Sequence, residues 1–158
     1  MAFDFIGYQT AFNAGDDDAA LEFWDDELEA VMPVDPTLAV PVATNKEEFR
    51  RFLAAAHDGI REVMRVQTYL EEGDRIFIEF DMDFVASKDR PDFPFADLQA
   101  GEFVTVKMFG VYTLRDNKLW KLRMAFWPPN QGVSEPPFHV TGIAPPDFGR
   151  VTRAQARG

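Results

Sequence analysis

The segment of residues 101–127 constrains the fold more than any other part of this sequence. Its side chains alternate in character on both sides of Arg115-Asp116-Asn117-Lys118, which is the period-two pattern of two β-strands joined by a turn. Asp and Asn tolerate the left-handed backbone conformations that a tight hairpin needs. One face is almost wholly apolar and carries Val104, Val106, Met108, Gly110, Tyr112, Leu114, Trp120, Leu122, Met124 and Phe126. The segment therefore predicts a long hairpin in a half-exposed antiparallel sheet whose apolar face must be covered.

The residues ahead of the hairpin predict helices that could cover this face. Near-helical aromatic spacing is followed by a glycine stop: Phe5, Tyr8, Phe12 and Gly15. The acids at 16–18 suit the start of a second short helix, and no histidine or spaced ligand set accompanies them to favour a metal site. A capping box at Asn45 and Glu48 predicts the start of a third helix.

Two further strand patterns and one aromatic loop complete the expected sheet. Residues 62–70 alternate weakly, with Met64, Val66, Thr68 and Leu70 as the inward set, and residues 76–85 alternate strictly, with Ile76, Ile78, Phe80, Met82 and Phe84 inward. The loop at 87–101 is too rich in proline to be regular, and its aromatic residues predict that it covers an apolar opening or a partner surface. Helices followed by such a sheet predict an α+β domain.

Composition limits the partners and the compartment. The 158 residues suit one domain at 1–128, followed by a proline-rich tail at 129–158 that we expect to dock partly on the domain or on a partner subunit. A net charge of −11 argues against nucleic acid and anionic membranes as partners. The chain has no cysteine, no apolar run that could span a bilayer and no basic, apolar start typical of a signal peptide, so we expect a cytoplasmic protein.

Several short motifs, in their order and spacing, resemble the nuclear transport factor 2-like superfamily, which has a cystatin-like fold. They are YQTAFNAGDD from residue 8, FWDD from residue 23, the capped helix at Asn45, FGVY from residue 109, NKL from residue 117 and AFW from residue 125. The superfamily includes ketosteroid isomerase, limonene-epoxide hydrolase, scytalone dehydratase and the SnoaL-like polyketide cyclases. The resemblance covers residues 1–128 and implies a cone, in which a curved antiparallel sheet wraps around an apolar pocket and N-terminal helices cover it.

The catalytic residues of these relatives transfer poorly. Tyr8 matches the tyrosine of ketosteroid isomerase that donates to the steroid oxyanion. The positions that correspond to the relatives' other catalytic residues hold Val31, Met32, Thr68, Phe80, Met82, Gly110, Met124, Trp127 and Pro128. The resemblance therefore implies the apolar pocket of the superfamily, and any reaction catalysed in this pocket must use a non-standard set of residues.

Three residues remain as catalytic candidates. Tyr8 is either an oxyanion donor or an aromatic residue at the pocket rim. His57 is either a general base, since imidazole titrates near neutrality, or a histidine whose cation suits a helix C-terminus. Asp35 lies beside a proline-rich loop, where a small shift in register would bring it to the general-base position. The residues expected to bind substrate are Phe12, Met32, Phe80, Met82, Met108, Tyr112, Met124 and Phe126.

The three carboxylates Glu79, Asp81 and Asp83 share one strand face. They could bind a metal or share a proton. If Phe80 and Met82 face the pocket, however, these acids point outward, where Lys107, Lys121 and Arg123 could pair with them on an exposed or dimer-facing surface. We favour the outward arrangement and expect no metal and no cofactor.

Two functions from different classes fit the sequence. The first is a SnoaL-like isomerase, cyclase, hydrolase or dehydratase that acts on a hydrophobic, polycyclic or terpenoid-like molecule. The second is a non-catalytic module that binds a hydrophobic ligand or dimerises, because an apolar cavity suffices for binding whereas acid–base catalysis needs a positioned titratable group. In either case we expect a homodimer through the outer sheet face, where Phe77, Phe109 and Trp127 offer apolar contacts.

Overall fold

The computed structural model describes residues 2–32, 41–127, 141–143 and 146–157. Its helices are α1 (Phe5–Ala14), α2 (Asp17–Leu21) and α3 (Lys46–Ala56). Its strands are β1 (Trp24–Val31), β2 (Ile60–Glu72), β3 (Arg75–Ala86), β4 (Glu102–Arg115), β5 (Lys118–Phe126) and β6 (Thr152–Arg153). No helix in the described ranges is both long enough and apolar enough to cross a membrane.

The strands form one curved sheet in the order β1-β5-β4-β3-β2, with β6 paired to β4. The neighbours from β5 to β2 are antiparallel, whereas β1 pairs with β5 in parallel and β6 pairs with β4 in parallel, so the sheet is mixed at these two places. The helices pack over its concave, apolar face, and the core lies between them. The predicted α+β cone is therefore confirmed.

The hairpin of β4 and β5 turns where the sequence predicts. Asp116 and Asn117 have φ values of 50° and 58°, which gives the left-handed two-residue turn. One side chain departs from the predicted alternation, because the register shifts after Thr113 and pairs Leu114 with Leu119. Leu119 therefore fills the core in place of Trp120, whose ring instead lies half-buried beneath charged side chains.

A similar shift in β2 overturns part of the predicted inward set. The register with β3 changes between Val66 and Thr68. Beyond this bulge Thr68 donates to Glu79 on the outer face at 2.8 Å, Leu70 is exposed, and Tyr69 turns inward. The prediction that Thr68 and Leu70 face the core is therefore wrong, because one extra residue reverses every later side chain of a strand.

Two buried amides fasten α1 to β2 and so place its aromatic residues on the concave face. The side-chain amides of Gln9 and Asn13 each donate to the Met64 carbonyl at 3.0 Å, and the Met64 amide donates to Asn13 Oδ1 at 2.8 Å. Asn13 thus replaces the strand partner that the edge of β2 lacks at this point. Tyr8, on the same helix, is held against the sheet.

The outer sheet face carries a buried ion network. Asp81 is 0% exposed and lies 3.0 Å from Lys107 Nζ, and Arg65 pairs with Asp83 at 2.7 Å. Glu79 and Asp81 point outward and lie 3.4 and 3.0 Å from Lys107 Nζ, as the alternation predicts. Lys121 was also expected to pair with these acids, but its Nζ lies 4.0 Å from Glu29 instead. The network differs from the prediction in its second cation, which is Arg65, and in its burial, since Lys107 is only 2% exposed.

An aromatic row lies beside this network on the outer face. The ring of Phe109 stands 6.3 Å from that of Phe77 and 5.8 Å from that of Trp127, and Trp127 is 48% exposed. We propose that two copies of the chain pair through this row, since large exposed aromatic side chains are enriched at interfaces.

Trp127→Asp is expected to break this homodimer, because it places a charge in an apolar contact. The mass in solution, measured by light scattering at micromolar concentration, should fall from two chains to one. Ile6→Asp changes an equally exposed apolar residue on α1 and should leave the mass unchanged. A wild-type protein that is already monomeric under these conditions contradicts the proposal.

Candidate active site

A cavity of about 330 Å³ lies between the concave sheet face, α1, α3 and the loop at 87–101. Its wall is almost wholly apolar, which is typical of sites that hold small organic molecules. The wall includes seven residues that the sequence singled out: Tyr8, Phe12, Met32, Met82, Met108, Tyr112 and Met124.

Two predicted binding residues do not line the cavity. Phe80 is fully buried in the core, and the residues of β3 that line the cavity are Met82 and Phe84. Phe126 is half-buried behind Phe95, whose ring packs edge-on against it at 5.2 Å and takes its place in the wall. Neither residue therefore lines this cavity, and their contact with a ligand stays a prediction.

The loop at 87–101 closes one side of the cavity, as its aromatic content predicts. Arg90 and Leu98 exchange backbone hydrogen bonds of 2.7 and 3.1 Å at its base, so the loop presents Phe93, Pro94 and Phe95 to the cavity. Near the C-terminus, Arg157 donates from its backbone to the Phe95 carbonyl at 2.8 Å and pairs through its side chain with Asp97. The segment at 151–157 therefore holds the loop in place.

The wall also contains residues that the sequence reading missed. The capped helix α3 contributes Phe49, Phe52 and Leu53. The spacing of these residues predicts the apolar face of a helix but does not indicate that this face lines a cavity. Glu62 lies two residues before Met64 on the same strand face. The alternation that places Met64 and Val66 inward also places Glu62 inward when it is continued two residues toward the N-terminus. Glu62 is the only carboxylate among the described residues that line the cavity.

Tyr8 is buried in the wall, and its hydroxyl belongs to a small hydrogen-bonded group. Burial raises the pKa of Tyr8 well above its usual value, although hydrogen bonds from Tyr112 and from the Trp24 indole oppose this rise. An indole nitrogen only donates, so the Tyr8 oxygen accepts that bond. Tyr112 also donates to this oxygen, and burial and this bond both raise the pKa of Tyr112 in turn. Of the two roles considered for Tyr8, a place at the pocket rim does not fit this burial, and the role of oxyanion donor stays a prediction.

His57 forms the C-cap of α3 and stands between two carboxylates. Its Nδ1 donates to Asp17 Oδ1 at 2.9 Å, and its Nε2 lies 3.7 Å from Glu62 Oε1. Burial lowers the pKa of His57, but the two carboxylates, Glu62 first, outweigh burial and raise it to about 9. The imidazole is therefore a cation at neutral pH, and it lies behind Glu62 and Phe12, which separate it from the cavity.

Asp35 lies outside the described residues, so its candidacy as a general base remains a prediction. Among the described residues, no group of three acidic or histidine side chains is placed to hold a metal ion. Gly110, at a position where ketosteroid isomerase carries an acid, has little room for a side chain, because a Cβ there would lie 3.3 Å from Ile78 Cγ1. The structure thus brings Tyr8 and Glu62 to one cavity, with His57 and Asp17 behind Glu62.

Comparison with known proteins places this geometry in a family. The model of the SnoaL-like domain matches residues 6–122. Proposed polyketide cyclases of similar structure come from Xanthomonas campestris pv. campestris (21% identity, TM-score 0.63, 76% of this chain and 84% of that chain), Pseudomonas putida KT2440 (18%, 0.62, 77% and 86%) and Silicibacter sp. TM1040 (17%, 0.62, 77% and 85%). No curated protein matches the chain.

At these identities the structural likeness shows the fold alone, whereas the family model matches most of the chain. The chain belongs to the SnoaL-like domain family, within the nuclear transport factor 2-like superfamily.

Proposed function

We propose that this protein is an enzyme of the isomerase or cyclase type that moves a proton on a small apolar molecule bearing a carbonyl group. One observation carries the proposal: Tyr8 and Glu62 face the same apolar cavity, and the charge of Glu62 is close enough to contribute to the raised pKa of Tyr8. A hydrogen-bond donor and a carboxylate in one apolar site are the two groups that enolisation needs.

Tyr8 supplies the donor. Its raised pKa keeps the hydroxyl protonated at neutral pH, and Trp24 and Tyr112 already occupy its oxygen as donors. The remaining O–H bond is available to the carbonyl oxygen of a bound molecule. This bond strengthens as negative charge develops on that oxygen, so it stabilises the enolate more than the ketone.

Glu62 supplies the base. Its carboxylate takes the proton from the carbon beside the carbonyl, and the electron pair of the broken C–H bond passes to the oxygen held by Tyr8. Return of the proton to another carbon gives isomerisation, attack of the enolate on a second carbonyl gives cyclisation, and loss of a β-hydroxyl group gives dehydration. All three reactions share the first step.

The wall favours a flat, ring-containing substrate. Aromatic side chains approach the cavity from three directions, with Phe12 on α1, Phe49 and Phe52 on α3, and Phe93 and Phe95 on the loop. Ring edges and faces of this kind pack well against other rings. The structural neighbours described as polyketide cyclases support the same class of substrate.

The test uses β-tetralone, a bicyclic aromatic ketone, in heavy water. The protein is expected to exchange the protons beside the carbonyl for deuterium at least about 100-fold faster than buffer alone, as measured by proton NMR. Tyr8→Phe removes the donor but keeps the ring, and it should reduce this exchange about 10- to 1,000-fold.

A protein that only holds hydrophobic ligands gives a different result. It would bind β-tetralone, as seen by line broadening of the ketone signals, without raising the exchange rate. Binding without exchange, for this ketone and for linear and tricyclic ketones alike, contradicts the proposal and favours the non-catalytic module.

A further inference from the structure

A second, smaller cavity lies directly behind Glu62. It measures about 150 Å³ and is enclosed by the junction of α1 and α2, the end of α3 and the start of β2. Phe12 and Glu62 belong to the walls of both cavities, so they form the partition between them. Unlike the main cavity, this one is lined by charged side chains, among them Asp17, His57 and Arg61.

The imidazole of His57 is fixed in orientation from one side. Asp17 accepts from Nδ1 through both carboxylate oxygens, at 2.9 and 3.0 Å, and the ring packs edge-on against Phe12 at 6.2 Å. Asp17 itself is fixed in the first turn of α2. The opposite nitrogen, Nε2, therefore faces Glu62.

Nε2 and the Glu62 carboxylate form an ion pair. Their separation of 3.7 Å is longer than a normal hydrogen bond, and buried Nε2 has no hydrogen-bond partner among the described residues. An imidazolium and a carboxylate at this distance attract each other directly, so Glu62 is the group that Nε2 faces.

The other charged groups around His57 do not replace this pairing. Arg61 directs its guanidinium to the Asn13 carbonyl at 2.9 Å, Arg150 lines a separate surface hollow with His57, and Asp58 pairs with Lys88 at 2.7 Å. The two carboxylates that face the imidazole are those of Asp17 on α2 and Glu62 on β2.

We propose that His57 and Asp17 are positioning residues for Glu62: the imidazolium, anchored by Asp17, holds the Glu62 carboxylate at the wall of the main cavity through the ion pair at 3.7 Å. The inference rests on the proposed function of Glu62 as the base. It gives His57 no direct contact with substrate. A fixed cation behind the carboxylate restricts its side chain to one orientation, which keeps the base in reach of a molecule in the cavity.

The first test needs no substrate. In the wild-type protein the imidazole of His57 is expected to titrate near pH 9 by NMR. Glu62→Gln should lower this midpoint by about one pH unit or more, and this drop measures the interaction between the imidazolium and the Glu62 carboxylate. Asp17→Asn should also lower it, whereas Asp18→Asn, on the same helix but paired with Arg50, should not.

The second test is the pH profile of β-tetralone exchange. The wild-type rate should fall above about pH 9, because the neutral imidazole no longer holds the Glu62 carboxylate in place by charge. His57→Gln should lower the rate about 10- to 100-fold at neutral pH and abolish this fall. His139→Gln, which replaces the other histidine of the chain, is the matched control and should change neither.

The outcomes separate the two proposals. An unchanged His57 midpoint in Glu62→Gln, or an unchanged exchange profile in both His57→Gln and Asp17→Asn, overturns the positioning role and leaves the role of Glu62 standing. If the wild-type protein does not exchange, the proposed function fails, and the titration still decides whether His57 and Glu62 are coupled. If His57→Gln does not fold, Asp17→Asn supplies both readouts.

Discussion

Glu62→Gln is expected to lower the rate of β-tetralone exchange by about 100-fold or more, which would bring it close to the rate in buffer. The amide has the same shape as the carboxylate and still fills its place in the wall of the cavity. It cannot accept the proton of a C–H bond, so binding should persist while proton transfer stops. Proton NMR measures both, through line broadening and through deuterium uptake.

Glu72→Gln is the matched control for this variant. Glu72 lies at the far end of the same strand, exposed and opposite Arg75, so the identical chemical change should leave exchange unaltered. Full exchange in Glu62→Gln would instead show that another group is the base, with Asp35 the first to replace. Loss of both binding and exchange would point to a damaged cavity, and Tyr8→Phe would then carry the test.

The elements of this fold follow from local chemistry that is visible in the sequence. The turn needs two residues that tolerate a left-handed backbone conformation, and Asp116 and Asn117 adopt it. The side chain of Asn45 accepts from the Glu48 amide at 2.9 Å, as the capping pattern predicts, although Glu48 reaches back to Thr44 and not to Asn45. Such features depend on neighbours within a few residues, so sequence alone identifies them.

The cavity wall depends on tertiary structure and was predicted only in part. The bulges after Val66 and Thr113 reverse which sheet face the following side chains point to. The alternation of apolar and polar residues does not indicate where a bulge occurs. Glu62 was not predicted as a site residue, because a charged side chain is usually exposed to solvent. In the structure, the end of α3 and the start of α2 surround it together with His57. The site is therefore set by how three elements meet.

Asp81→Ala is expected to lower the free energy of unfolding by about 3–5 kcal/mol, because it leaves buried cations without their central carboxylate. Asp81 accepts from the Gln67 amide at 2.8 Å and lies between Lys107, at 3.0 Å, and Arg65, at 3.8 Å. Urea unfolding at neutral pH measures the change. Asp18→Asn, in the exposed pair with Arg50, should change stability by less than about 0.5 kcal/mol.

The double variant Asp81→Leu with Lys107→Met shows whether the buried ion pair makes a net contribution to the free energy of unfolding. Removing one charge leaves the other buried without a partner, which carries a desolvation penalty. Replacing both charged side chains with apolar ones that fill the same space avoids this penalty. The double variant is therefore expected to recover most of the stability that Asp81→Ala loses. A loss larger than that of Asp81→Ala would mean that the ion pair itself contributes net stability. A loss below about 1 kcal/mol in Asp81→Ala would mean that water reaches this face and that the charges are not buried at all.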